Sequence, residues 1–163
     1  MAKYVSDKDL GLNKILRGLN SVRGKEVTIG LHADLGVHPG ENNDSNLTYA
    51  QIGAIQEYGA TRRFLDGATI EIPPRPFTAT AFDRNRARLN SDIKIAISKG
   101  MVSGNFMTEL LSVGTKHAIF QKTVMEAWQT PPNSQRTIRY KGFNDPLKWT
   151  GAMISAVKAK IGR

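Results

Sequence analysis

The sequence predicts an α+β fold, in which a small, mostly antiparallel sheet with an inserted β-hairpin packs against an N-terminal helix and two long central helices. Three observations carry this prediction. Two long segments, residues 78–98 and 103–130, repeat apolar side chains every three or four positions. Residues 25–32 alternate apolar and polar side chains, and the dipeptide Asp66-Gly67 marks a tight turn between two short strands.

Length and composition indicate one compact unit. The chain has 163 residues, 40% of them hydrophobic, and no cysteine. This length supports one buried core, so we predict a single domain over residues 1–163. The lack of cysteine excludes disulfides and thiolate metal sites, as is usual for proteins of a reducing compartment. Neither a signal-peptide core nor an apolar segment of bilayer length occurs in the sequence, which predicts a soluble protein with no membrane partner.

The first two elements are a helix and a strand. An amphipathic helix is predicted over Asp9–Val22, because apolar residues recur there at helical spacing and Gly24 follows as a stop. Lys25–His32 alternates apolar and polar residues, which is typical of a half-buried strand. We expect the helix to pack on that strand.

A polar loop and a short helix come next. Residues 33–47 are rich in Asp, Gly, Pro and Asn and have no apolar period, which predicts a mobile, exposed loop. Thr48 and Gln51 have capping-box spacing, which predicts a helix through Tyr58. Gly59 is expected to end that helix.

A β-hairpin is predicted over residues 61–72, with its turn at Asp66-Gly67. The segment after it contains three prolines, each of which fixes φ near about −65° and removes an amide donor. Such a segment cannot lie inside a sheet and is expected to follow an edge or the surface. The three prolines are Pro73, Pro74 and Pro76.

Two long helices are predicted in the middle of the chain. The first begins with Thr78 as its cap and reaches Ser98, with Gly100 as its end. The second starts at Ser103 or Asn105 and is stopped by the pair of prolines that follows Trp128. The predicted buried stripes are Phe82, Leu89, Ile93 and Ala96 in the first helix, and Phe106, Leu110, Val113, His117, Phe120, Val124 and Trp128 in the second.

Two further strands are predicted near the end of the chain, over Thr137–Lys141 and Ala152–Lys160, with Thr150-Gly151 as the turn before the last strand. Together with the strand that starts at Lys25 and the hairpin, they are expected to build the sheet.

The positive charge is unevenly distributed along the chain. Residues 1–75 contain 9 Lys+Arg and 9 Asp+Glu, and residues 76–163 contain 14 and 5, so the whole net charge of +9 lies in the second part. Such a surface attracts polyanions without recognising a base sequence. The chain has no helix-turn-helix, zinc-finger or RNA-platform motif that would provide such recognition. A solvated surface that only keeps the protein in solution explains the charge equally well. The candidate DNA-facing residues on the first long helix are Arg84, Arg88, Lys94 and Lys99.

The sequence gives little support for catalysis, so we predict that the protein is not an enzyme and has no small-molecule substrate. His32, His38 and His117 do not have the spacing of a metal site, so neither a metal nor a cofactor is predicted. For His117, on an apolar stripe, we expect a partly buried imidazole with its hydrogen bonds satisfied. Glu57 and Arg75 bracket the hairpin and are expected to form a structural ion pair.

Two sequence blocks resemble a known family. IQEYGA (residues 55–60) with IPPRPFTATAFD (residues 72–83), and later PPNSQRTIRYKGFNDPLKWTGAMISAVKAKI (residues 131–161), resemble the tail-completion, or virion-morphogenesis (neck), family of tailed double-stranded DNA phages. The blocks occur in the family's order and span residues 48–161. Lys148-Trp149 departs from an Ile-Asp pair that many relatives have, so a role tied to that acidic position does not transfer.

This resemblance implies a structural virion protein made in the bacterial cytoplasm and located at the head–tail junction. It implies a homo-oligomeric ring, commonly of six copies, that joins neck or connector proteins to the tail tube or tail terminator while double-stranded DNA passes through. Two alternatives stay open: a tail terminator that caps the tail tube, and a small basic cytoplasmic DNA-binding accessory protein. The residues expected at subunit or partner contacts are Glu57, Tyr58, Arg62, Arg63, Phe64, Arg75, Phe77 and Trp149.

Overall fold

A computed structural model describes residues 11–38, 46–63, 65, 67 and 69–162. The α+β class is confirmed, with an N-terminal helix and two long central helices. The helices are α1 (Leu12–Val22), α2 (Tyr49–Tyr58), α3 (Phe77–Ser103), α4 (Phe106–Glu126), α5 (Gln135–Lys141) and α6 (Ala152–Ala156). The strands are β1 (Glu26–Gly30), β2 (Ala60–Arg63), β3 (Thr69–Ile72) and β4 (Lys158–Gly162).

Helices α3 and α4 form an antiparallel hairpin that is the centre of the fold. The prediction that α3 ends at Gly100 is wrong, because the helix continues to Ser103 and is terminated by Gly104 at φ 77°. Gly100 is instead a buried helical position, where a Cβ atom would approach the Phe106 ring. The predicted stripe of α3 is also only partly right, since Ala96 is 3% exposed but Phe82 is 45% exposed.

The strands form two separate two-stranded antiparallel sheets rather than one. In the first sheet β1 pairs with β4, with Glu26 opposite Gly162 and Gly30 opposite Lys158. The second sheet is the β2–β3 hairpin. Strands β1 and β4 lie against α4 at Gly114, where a Cβ atom would come within 2.7 Å of Val27 Cγ1. This glycine therefore lets the sheet approach the helix closely.

Helices α1 and α2 confirm the predicted elements but differ in detail. Helix α1 packs against α3 and α4 through its buried Gly18, rather than mainly on β1. Thr48 Oγ1 accepts from the amide of Gln51, and the Gln51 side chain accepts from the amide of Thr48, so the capping box of α2 is confirmed. The predicted loop at 33–47 contains a 3₁₀ turn at Ala33–Leu35, and its residues 39–45 lie outside the described part of the chain.

The predicted strand at Thr137–Lys141 is wrong, because this segment is helix α5. Ser134 Oγ accepts from the amide of Thr137 at 3.2 Å and caps the helix, and Gly142 ends it at φ 78°. The predicted strand at Ala152–Lys160 is also wrong in its first half, which is the short helix α6, although β4 follows from Lys158.

The core lies where the start of α3, the middle of α4, helix α6 and the start of β4 meet. Its buried members are Phe77, Ala118, Met125, Leu147, Met153, Ile154 and Val157. Among the described residues, none of the helices is long and apolar enough to cross a membrane.

Candidate partner interface

The β2–β3 hairpin is the most exposed element of the described chain. Arg62, Arg63, Thr69 and Glu71 are exposed, and Leu65 at the tip is completely open to solvent, at 110%. The two strands pair only with each other. Because a two-stranded sheet is marginally stable by itself, the hairpin depends on the structure at its base.

That base is organised around the side chain of Arg75. Its Nε donates to the Pro131 carbonyl at 3.1 Å, Nη2 donates to the Pro132 carbonyl at 3.1 Å, and Nη1 donates to Gln56 Oε1 at 2.7 Å. The Arg75 amide also donates to the Gln56 carbonyl at 2.6 Å. One guanidinium thus joins the end of α2, the proline segment and the turn before α5. We call these residues, together with Glu57, the arginine clamp.

Glu57 does not pair with Arg75, contrary to the prediction. Its carboxylate accepts from the amides of Thr78 at 2.9 Å and Ala79 at 3.1 Å, and so caps the N-terminus of α3. The negative charge lies at the positive end of the helix dipole and satisfies two amides that have no partner within the helix. Thr78 is therefore not the cap, since Pro76 is the N-cap residue and its side chain cannot accept a hydrogen bond.

Two residues predicted at a subunit contact are inside the protomer. Arg75 is 4% exposed and Phe77 is 2% exposed, so neither lies on the outer surface of the protomer. They fix the base of the hairpin instead. Tyr58, at 81% exposed, lies on the surface together with Arg62 and Arg63. Phe64 lies outside the described residues.

A cleft of about 340 Å³ opens beside the arginine clamp. Its walls come from β3, the turn around residues 133–134, helix α5 and the segment before α6. Trp149 is at its mouth, 44% exposed, with its ring edge-to-face against Tyr140 at a centroid distance of 5.2 Å. This arrangement keeps a large aromatic ring in a fixed orientation at a partly open site.

The wall of this clamp cleft is cationic. Burial lowers the pKa of Arg75, but a guanidinium is not deprotonated in proteins, so the group stays charged. Burial also lowers the pKa of Lys141; Asp145 acts in the opposite direction, and the charge of Arg75 lowers it further. Lys141 Nζ donates to the Asp145 carbonyl at 2.6 Å and lies 4.9 Å from the centroid of the Phe143 ring.

The four candidate DNA-facing residues of α3 are all exposed. They do not form a single row. At about 100° per residue, Arg84, Arg88 and Lys99 fall within about 60° of one another, whereas Lys94 is about 120° from Arg88. The described chain therefore presents three of these cations on one side of α3 and the fourth on another.

His117 is hydrogen-bonded, as predicted, and is more deeply buried than the predicted partial burial. It is 6% exposed, and its Nδ1 accepts from Asn85 Nδ2 at 3.0 Å, which places the ring proton on Nε2. Burial lowers its pKa below the ordinary value of 6.5, so the ring is neutral at pH 7. This histidine is a structural contact between α3 and α4.

Sequence reasoning missed Gln56, Asn133 and Lys141 as parts of the site. Asn133 is 9% exposed, and its Nδ2 has no hydrogen-bond partner among the described residues. The sequence did contain one usable signal, because Ser134 and Thr137 have the spacing of a helix cap. Recognising that cap would have placed Lys141 on a helix near the prolines.

The described residues contain no group of His, Asp or Glu side chains that could hold a metal ion. Comparison with known proteins found no match to a family model, a curated protein or a solved structure.

Proposed function

We propose that this chain is a structural virion protein of a tailed double-stranded DNA phage, which forms a ring of six copies in the neck as a tail-completion protein. The protein acts by shape, with no reaction to perform. Each copy contacts the next copy, a connector protein on the head side and the tail tube or its terminator on the other side.

The observation that carries this proposal is the exposed hairpin on a rigid base. The segments IQEYGA and IPPRPF, on which the family resemblance rests, are the segments that the arginine clamp joins. They hold β2 and β3 away from the core while leaving Leu65 and Ile70 uncovered, at 110% and 45% exposure. A two-stranded hairpin with exposed apolar residues gains stability by pairing with, or packing on, a neighbouring chain.

The charge distribution fits the same role. The hairpin belongs to residues 1–75, whose net charge is 0, so identical copies can meet there without strong repulsion. The excess of +9 belongs to residues 76–163 and includes the exposed cations of α3. A basic wall of this kind attracts the DNA backbone weakly and without sequence preference, as a channel for moving DNA requires.

The test is the composition and symmetry of the purified phage particle. Imaging of particles with the neck intact should show density for this chain at the head–tail junction, repeated six times around the axis. The chain should also be found in those particles by mass spectrometry. Its absence from purified particles would overturn the proposal.

A second test concerns the hairpin. Replacing residues 64–68 by Asn-Gly should leave the protomer folded, because Leu65 at the tip is exposed, but should abolish particle assembly. The control is Glu126→Gln, an exposed change on α4 that should not affect particle yield. A normal yield with the shortened hairpin would show that the hairpin is not the contact.

The exposed cations on α3 favour one competing function, a small DNA-binding accessory protein. That protein would bind duplex DNA as a monomer, with an affinity that falls steeply as salt is raised. Light scattering after size exclusion, together with DNA binding at two salt concentrations, separates the two functions. Association into a ring with weak DNA binding favours the neck protein.

A further inference from the structure

The clamp cleft contains a buried cation without a counter-ion. Three N–H groups of Arg75 donate to neutral oxygens, namely those of Gln56, Pro131 and Pro132. No carboxylate of the described residues forms an ion pair with it. A guanidinium has five N–H donors and is costly to bury without an anion, so this side chain has both spare donors and uncompensated charge.

Two further donors belong to the same wall. Lys141 is only partly exposed, and its ammonium group donates to a main-chain carbonyl, that of Asp145. The side chain of Asn133 is nine-tenths buried, and its Nδ2 has no hydrogen-bond partner among the described residues. A carboxylate that enters the cleft meets two positive charges beside the buried, unpaired amide of Asn133, and such a cationic wall is suited to an acidic side chain.

The mouth of the cleft is apolar and aromatic. Trp149 is held edge-to-face against Tyr140, and Ile70 of the hairpin is 45% exposed beside the same opening. The volume of about 340 Å³ is at the lower end of the range for sites that bind small molecules or a few side chains. The cleft therefore combines a cationic inner wall with an apolar rim.

We infer that the clamp cleft binds an acidic peptide segment of a different protein, with a carboxylate directed toward Arg75 and Lys141 and an apolar side chain against Trp149. The charged residues lining the cleft are Arg75, Lys141 and Lys148, opposed by Glu71 in the lining and by Asp145 next to Lys141. A second copy of this chain brings its own net charge of +9, whereas an acidic partner complements the wall. This inference rests on the proposed function, in which the partner is a neighbouring neck or tail protein.

The experiment titrates the full-length protein with a blocked peptide, acetyl-Leu-Glu-Phe-Glu-amide, and in parallel with its neutral counterpart, acetyl-Leu-Gln-Phe-Gln-amide. Nuclear magnetic resonance follows the Arg75 Nε–H, the Asn133 side-chain amide and the Trp149 indole N–H. The acidic peptide should shift these signals, and the neutral peptide should bind about tenfold more weakly, because it lacks the charge-assisted hydrogen bonds.

Two matched variants locate the binding. Lys141→Gln removes one charge from the wall and should weaken the acidic peptide about tenfold. Lys99→Gln removes one exposed charge from α3 and should leave the affinity unchanged. Trp149→Ala, at a partly open position, should weaken both peptides without preventing folding. The fold of each variant is checked from the chemical shifts of its core methyl groups.

Three results would overturn the inference. Equal binding of the two peptides would show that the carboxylate is not recognised. Equal effects of Lys141→Gln and Lys99→Gln would show that the peptide does not bind in the cleft. Concentration-dependent shifts of the same signals in the absence of peptide, together with self-association in sedimentation, would show that the occupant is a second copy. If the acidic peptide binds as described but the chain is missing from phage particles, the cleft stands and the proposed function fails.

Discussion

The β2–β3 hairpin and the arginine clamp are adjacent in the chain but opposite in physical character. Leu65 at the hairpin tip is 110% exposed, whereas Arg75, ten positions later, is 4% exposed and makes three side-chain hydrogen bonds to neighbouring segments. The hairpin strands pair only with each other, while the clamp joins α2, the proline segment and the turn before α5. The difference shows how a chain can fix the direction of an exposed hairpin, because the contacts that hold the hairpin lie at its base.

The largest effect is expected from breaking the clamp. Arg75→Met fills a similar space but leaves the oxygens of Gln56, Pro131 and Pro132 without their donor, so the free energy of unfolding should fall by about 3 kcal/mol. Urea denaturation measures this change. The control is Arg63→Met on the exposed hairpin strand, which should change stability by less than about 0.5 kcal/mol. Similar losses of unfolding free energy for the two variants would show that the clamp stabilises the fold no more than the hairpin strand does.

A smaller effect on stability is expected where the hairpin meets the clamp. Gly59 has φ 77°, and a Cβ atom there would lie 2.8 Å from the Ile72 carbonyl oxygen. Gly59→Ala therefore adds a steric conflict to backbone strain and should cost about 2–3 kcal/mol. Gly67→Ala has the same kind of strain, at φ 83° but with open space around the Cβ, and should cost about 1 kcal/mol. Equal melting temperatures of the two variants would contradict the close contact at the base.

The cap on α3 gives a third, weaker test. Glu57→Gln keeps one acceptor oxygen but removes the charge at the helix N-terminus, which should lower the free energy of unfolding by about 1 kcal/mol. Glu71 is an exposed carboxylate on β3, so Glu71→Gln is the matched control and should have almost no effect. Thermal unfolding at low and high salt would distinguish them, since salt should screen only the Glu57 contribution.

The smallest effect on folding is expected on the outer side of α3. Charge reversal by Arg84→Glu together with Arg88→Glu changes two exposed residues, so stability should change by less than about 0.5 kcal/mol for each. Duplex DNA binding should nevertheless weaken more than for Lys94→Glu, which is about 120° from Arg88 around the helix. A large drop in melting temperature for the double variant would mean that these arginines are structural.

Much of the architecture followed from local patterns. The capping box of α2, the hairpin and the long period of α4 were predictable because each signal lies within a few consecutive residues. The C-terminal segment was not, since Thr137–Lys141 alternates like a strand although Ser134 caps it as a helix. In α6 the residues that become buried are Met153 and Ile154, neighbours that no alternating strand would bury together.

The clamp could not be predicted from the sequence. Its acceptors are main-chain carbonyls of Pro131 and Pro132, more than fifty positions beyond Arg75, and main-chain oxygens leave no trace in residue types. The expected pairing of Glu57 with Arg75 followed from opposite charge. In the structure the Glu57 carboxylate accepts from helix amides, and the Arg75 guanidinium donates to main-chain carbonyls. These partners lie closer to each group than the opposite charge does.

The pairing of β1 with β4 has a consequence for how the chain reaches its final form. Thr28 and Lys160 are 132 residues apart in sequence, and the Thr28 hydroxyl donates to the Lys160 carbonyl. During synthesis on the ribosome, β1 has no strand to join until the last helix has been translated, although the α3–α4 hairpin can already collapse. Completion of this small sheet is therefore expected to be a late step in the folding of the chain.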